Sequence, residues 1–187
     1  MLRTILALIA TLAFYIFIRH NFYQSYKVPA GSMKPAIQIG DVVLANKWLY
    51  KLEDPRRGDI ILFIYPRDEN FDYIKRLIGL PGDNFEIKNQ IVYINNVPLN
   101  ETYTIHSGQV LEGEASRPRD NFGPIRIPLG NYFVMGDNRE NSRDSRYFGL
   151  VQRDKIFGKA DWIINSIDEN GEERPERSWE PFPEIQY

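Results

Sequence analysis

The chain opens on its longest apolar run. Between Arg3 and Arg19 lie fifteen residues without a charge, Thr4 to Ile18 (TILALIATLAFYIFI). They lack the polar face that a helix packed on a soluble core would show to water. A membrane span takes ~20 residues, with ~17 near the minimum, so the run is short. Arg3 and Arg19 can snorkel, however, and Tyr15, Phe17, Phe22 and Tyr23 supply aromatic anchoring at an interface. A cleavable leader carries a similar apolar stretch, but no small-x-small site follows; the chain continues Ile18-Arg19-His20-Asn21-Phe22-Tyr23. Residues 1–24 are therefore expected to form one transmembrane helix that stays attached. Charge alone leaves its orientation open, because Arg3 lies on one side and Arg19, Lys27 and Lys34 on the other.

Beyond residue 24 the periodicity changes to that of strands. Asp41–Asn46 is a β-rich run, and Gly58–Tyr65 is almost continuously apolar until Pro66 stops it, as expected of a strand buried on both faces. Asp72–Leu80 ends at Pro81-Gly82-Asp83. Phe85–Lys88 and Ile91–Ile94 read as a hairpin across Asn89-Gln90, with a further turn at Asn95-Asn96. Residues 98–130 are weakly patterned, with one strand expected at Glu101–His106, and strand signals resume at Asn131–Met135 and Ile156–Ile167. Many short strands without β-α-β alternation predict a mainly β fold, an antiparallel sandwich or barrel-like core. The core is assigned to residues 25–83 and 131–167, with 84–130 as an inserted β/loop region and 168–187 as an acidic tail or surface wrap.

Composition narrows the chemistry. The chain has 187 residues and no cysteine, which removes disulfides, thiolate metal sites and a cysteine nucleophile together. Its formal charge of −2 conceals a gradient: residues 168–187 hold seven acids against Arg174 and Arg177, leaving the remainder at about +3. Neither part is basic enough for nucleic acid.

One stretch, Val28-Pro29-Ala30-Gly31-Ser32-Met33-Lys34-Pro35, carries a hydroxyl on a backbone bracketed by proline and glycine. Such a loop is either an ordinary turn or a mount that aims Ser32 in one direction. A serine needs a base to become a nucleophile. His20 sits at the membrane end and His106 in the weakly patterned region, so lysine is the better partner. Lys75 lies in Asp72–Leu80, where period 2 puts Tyr73, Lys75 and Leu77 on one face. Two apolar neighbours disfavour its charged form, although a lysine on a half-buried strand can also snorkel to water. A third stretch, Gly136 to Val151, alternates charges. It fails as a calcium loop, since Arg139 and Ser142 stand at a ligand and a glycine position. It reads as a loop cross-braced by pairs such as Asp144 with Arg146, with Ser142 or Ser145 able to reach a neighbouring amine.

Taken together, Ala30–Pro35, Tyr73–Asp83 and Gly136–Gly149, with Gly58–Phe63 as a fourth box, resemble the signature boxes of bacterial type I signal peptidases, in the family's order, over about residues 1–167. The resemblance implies a membrane-bound serine endopeptidase without metal or cofactor. Ser32 would be the nucleophile and Lys75 the general base. Ser142 would orient the lysine, and Asp144 with Arg146 would support it. The oxyanion would be met by the backbone N–H of Ser32. Position 30 departs from the pattern, because alanine stands where many members carry a second oxyanion-hole hydroxyl. Val28, Pro29, Ala30, Met33, Ile37, Tyr73 and Ile74 match substrate-pocket positions. The implied partners are the bilayer and preprotein signal peptides with small residues at −1 and −3. The implied location is the cytoplasmic membrane, single-pass, with the catalytic domain on the extracytoplasmic side. Two other readings stay open: a soluble-type self-cleaving Ser/Lys protease, and an anchored β-domain without chemistry.

Overall fold

The amino-terminal run folds as helix α1 (Leu2–Phe22). The computed structural model describes residues 2–106, 118–183 and 185, with the side chains of residues 2 and 17–21 outside that set. Every described side chain from Arg3 to Ile16 is exposed. Among the described residues, no helix is long and apolar enough to cross a membrane. The last turns of α1 bring in Arg19, His20 and Asn21, which dilute the apolar run. The expected span is thus present as a helix without the apolar length the expectation required.

The helix passes into β1 (Tyr23–Lys27), then β2 (Asp41–Asn46), a single turn α2 (Leu49–Leu52), β3 (Ile60–Ile64) and β4 (Asp72–Gly79). Four strands follow, β5 (Asn84–Lys88), β6 (Ile91–Ile94), β7 (Val97–Pro98) and β8 (Phe122–Arg126). The chain then runs through β9 (Asn131–Met135), a second turn α3 (Ser145–Phe148), β10 (Val151–Gln152), β11 (Ile156–Ser166) and β12 (Glu180–Pro181). Eight strands form one antiparallel sheet in the order β1-β2-β11-β3-β4-β9-β10, with β12 beside β11; the other four form a smaller sheet, β7-β6-β5-β8. Register shifts within β11 and β4 mark bulges, which increase twist and curl the sheet.

The apolar run at β3 is buried on both sides. Ile61 and Phe63 enter one cluster with Leu77, Val134 and Phe148, while Ile60 and Leu62 enter another with Val28, Met33, Ile37 and Val43. The small sheet packs on the large one through Phe85, Ile87, Val92 and Ile127 against Ile78, Phe133 and Met135. Gly79 allows that approach, since a Cβ there would lie 2.3 Å from Ile127 Cδ1. The hairpin expected at Asn89-Gln90 forms, with both residues at positive φ as its turn requires.

The strands depart from the sequence pattern in two respects. No strand forms at Glu101–His106, where, among the described residues, the only pairing is an isolated bridge from Ile105 to Asn138. Its backbone bonds go to a loop instead, with Ile105 N–H donating to Asp137 O at 2.9 Å. Conversely, β1 and β8 were not anticipated. The first follows an apolar helix without a break, and the second carries Gly123-Pro124, which masks a strand signal.

Candidate active site

Three segments meet around Ser32. The first is the turn Gly31–Met33, a short 3₁₀ helix entered from an extended Ala30. Met33 anchors it, fully buried against Val28 and Ile37. Val28 is tied to the start of β2, its N–H donating to Asp41 O at 2.8 Å. Ser32 is left half-buried at the surface of this plug.

The second is β4. Strand alternation sends Lys75 to the face shared by Tyr73 and Leu77, opposite Ile61 of β3. Lys75 is 4 % exposed. Its Nζ lies 2.7 Å from Ser32 Oγ and donates to the Ile74 carbonyl at 3.0 Å. Burial disfavours the ammonium and pulls the amine down to about 8, while Asp144 and Asp137 pull the other way. A neutral fraction near pH 7 can then accept the Ser32 proton, reversing the direction of the 2.7 Å bond.

The third is the loop after β9. Gly136 packs so closely on the serine turn that a Cβ would sit 2.4 Å from the Ser32 carbonyl and 2.3 Å from Ser142 Oγ. Asn138 holds the same turn, donating its N–H to Ser32 O at 3.1 Å and its Nδ2 to Gly31 O at 3.2 Å. Asp144 and Arg146 form the expected pair, bidentate and buried, with Nε–Oδ1 and Nη2–Oδ2 both 2.8 Å. Asp144 also accepts from Gly136 N–H at 3.1 Å, and Arg146 donates to Arg139 O at 2.6 Å. Ser145 Oγ accepts from Val134 N–H at 2.9 Å, tying the loop to β9.

Two more buried pairs escaped the sequence reading. Arg76 grips Asp137 with bonds of 2.7 and 2.6 Å, and Arg139 grips Glu101. The partners stand 61 and 38 residues apart, so local charge alternation shows neither.

Several expected site residues fall elsewhere. Ser142 does not hydrogen-bond Lys75; its Oγ is buried without a partner among the described residues. Val28, Met33 and Ile37 are 4 %, 0 % and 0 % exposed within the core, where they form an apolar plug beneath the serine turn and present little surface to a substrate. Pro29 and Ala30 are exposed, and Tyr73 and Ile74 half-buried, so these four retain surface beside the dyad. Ala30 supplies no hydroxyl. His106 is exposed and lines a small cavity with Arg119, Arg139 and Arg146. The side chain of His20 lies outside the described residues. A cleft of about 460 Å³ sits behind β4, lined by Pro35, Arg76, Tyr103 and Phe182; neither Ser32 nor Lys75 lines it.

A serine hydroxyl bonded to a desolvated amine, beside a loop braced by buried ion pairs, is the arrangement of a serine hydrolase whose base is lysine. The chain belongs to the signal peptidase family, peptidase S26, whose match covers residues 1–165. Its relatives include a probable signal peptidase I-2 of Synechocystis sp., 40% identical over 149 residues, with 76% of this chain and 63% of that protein covered. Signal peptidase I of Bacillus licheniformis is 34% identical over 164 residues, covering 87% of this chain and 88% of that one. A crystal structure of a signal peptidase I from Enterococcus faecalis V583 is 36% identical, covering 57% of this chain and 97% of that one, with a TM-score of 0.47.

Proposed function

We propose that this chain is a serine endopeptidase that removes signal peptides from preproteins. The observation that carries the reading is the 2.7 Å contact between Ser32 Oγ and Lys75 Nζ, on a lysine held near 8 by burial. Family membership and relatives named signal peptidase I support the substrate class.

In this reading Ser32 Oγ attacks the scissile carbonyl as its proton passes to Lys75 Nζ. The oxyanion is met by the Ser32 N–H, which stands in the first turn of a 3₁₀ helix and has no acceptor within it. As the intermediate collapses the C–N bond breaks, and the Lys75 ammonium returns the proton to the leaving amine. The ester on Ser32 is then hydrolysed by a water whose proton Lys75 accepts, releasing the signal-peptide carboxylate and restoring the hydroxyl. Asp144 with Arg146 keeps the loop from yielding, and Ser142 meets the amine once acylation has turned the Ser32 hydroxyl into an ester. The substrate lies extended past Pro29, Ala30, Tyr73 and Ile74, where small −1 and −3 side chains fit a shallow surface.

Membrane attachment belongs to the same reading. The α1 side chains from Thr4 to Ile16 are exposed and uncharged, a surface that water does not favour. The helix would be about 32 Å long at 1.5 Å per residue, and we assign it to the bilayer with the β domain on the extracytoplasmic side.

The test is cleavage of a purified preprotein, with N-terminal sequencing of the product. A single new amino terminus after a small residue, produced by the wild type and not by Ser32→Ala, is expected. Equal cleavage by both, or none by the wild type, would sink the assignment.

A further inference from the structure

The acidic C-terminal segment is fastened by its two basic residues. After β11 the chain turns at Asp168, whose Oδ1 accepts the N–H groups of Asn170 and Glu172, both at 2.8 Å. The turn reverses the chain so that Arg174 N–H donates to Ser166 O at 2.9 Å, and β12 then pairs with Trp162 and Ile163 of β11. Arg174 and Arg177 both reach Asp41, which is fully buried.

Around that carboxylate the bonds converge from three parts of the chain. Arg177 Nη2 lies 2.7 Å from Oδ2 and Ser166 Oγ donates to Oδ1 at 2.6 Å. Gln38 N–H donates to Oδ2 at 2.8 Å. Burial pushes the Asp41 carboxyl up, but Arg177, Ser166 and the Gln38 N–H outweigh it and hold the group below the usual range. The same guanidinium groups also grip the backbone that leads from the nucleophile to β2. Arg177 Nη2 donates to Ala36 O at 3.0 Å, Arg174 Nη2 to Ile39 O at 2.7 Å, and Arg174 Nη1 to Gln38 Oε1 at 2.7 Å. That backbone continues into the serine turn through Ile37 N–H, which donates to Met33 O at 2.9 Å. Gly40 completes the fit, since a Cβ there would lie 1.7 Å from Ile167 O.

We propose that residues 174–182 are a clamp on the nucleophile loop, in which Arg174 and Arg177 act through Asp41 and the carbonyls of Ala36 and Ile39 as positioning residues for the reaction at Ser32. The proposal rests on the peptidase reading above. The loop is held at two places: Asn138 fixes the serine turn, and the clamp fixes residues 36–41. Arginine suits this task because one planar fork spans a carboxylate and a carbonyl together, which a lysine ammonium does not. Both arginines lie in a segment whose other charges are all acidic, so the clamp cannot re-form with a neighbouring cation of the tail.

The experiment compares the full-length wild type with the Arg174→Gln/Arg177→Gln double variant. It reads kcat and KM on a preprotein together with amide exchange across residues 33–41 and 174–182. A small displacement of a reacting atom costs up to about 100-fold in rate. The expected result is therefore kcat reduced about 10- to 100-fold, KM within about twofold, and faster exchange in both segments. Wild-type kcat beside fast exchange at 174–182 overturns the clamp, as does a change confined to KM. If the double variant does not fold, Arg177→Lys and Ser166→Ala are read by the same criteria, with Arg177→Lys keeping the charge and recovering only part of kcat. A wild type that cleaves nothing would instead remove the peptidase reading, and the catalytic half of this proposal with it.

Discussion

Asn138 holds the nucleophile by its backbone: its N–H donates to the Ser32 carbonyl at 3.1 Å, and its Nδ2 donates to the Gly31 carbonyl at 3.2 Å. Both bonds fix the serine turn without touching the hydroxyl. Asn138→Ala removes the second and leaves the first. A roughly tenfold fall in kcat with KM spared is expected, since the loss is one of aim. Asn138→Asp should be worse, because it loses the same donor and also sets a carboxylate oxygen against the Gly31 carbonyl. Steady-state kinetics on the two variants checks the ordering.

Gly136 leaves no room for a side chain between its loop and the serine turn. A methyl group at that position would lie 2.4 Å from the Ser32 carbonyl and 2.3 Å from Ser142 Oγ, inside any tolerable separation. Gly136→Ala must therefore move the nucleophile or unfold the loop. Activity should fall at least 100-fold, with a stability loss of about 1–3 kcal/mol from overpacking, read by denaturant titration.

Ser142 and Asp144 are expected to separate function from stability. The Ser142 hydroxyl is buried without a partner among the described residues, so Ser142→Ala relieves an unsatisfied group and should leave stability unchanged or raise it by about 1 kcal/mol. If the hydroxyl meets the Lys75 amine during turnover, kcat nevertheless falls. Asp144→Ala strands a buried Arg146 and the Gly136 N–H and should cost about 3–5 kcal/mol. Thermal melts of both variants beside their kinetics test the contrast.

Much of this arrangement was legible in the chain. Continuous apolar character at Ile60–Ile64, alternation at Asp72–Gly79 and the asparagine turns each followed from local rules, and the alternation put Lys75 on a buried face. What stayed hidden depends on distance in sequence. Glu101 finds Arg139 across 38 residues, and Arg177 finds Asp41 across 136; neither charge pattern betrays its partner. The burial of Val28, Met33 and Ile37 is hidden for a related reason. A single strand or turn does not reveal whether an apolar residue beside a catalytic group faces the cleft or plugs the loop from below.

Burial of Lys75 carries a cost in stability with a definite sign. Its amine is near 8 in the fold against an ordinary value of 10.5, so the unfolded chain binds the proton more tightly between these limits. Below pH 8 the penalty is complete, about 3 kcal/mol at 1.36 kcal/mol per unit. It shrinks as pH rises toward 10.5. Lys75→Met should accordingly melt above the wild type at pH 7, and the gap should close through this window. A constant or widening gap in melts recorded across it would contradict the desolvation argument.

The central claim is that Lys75 is the base for Ser32, and the pH dependence of preprotein cleavage tests it most directly. For the wild type, kcat/KM should rise with pH to a plateau with its midpoint near 8, set by the free enzyme's lysine, while Lys75→Ala, folded by circular dichroism, shows no cleavage at any pH. A wild-type midpoint near 6.5, the ordinary range of histidine, or turnover retained in Lys75→Ala, would contradict the account.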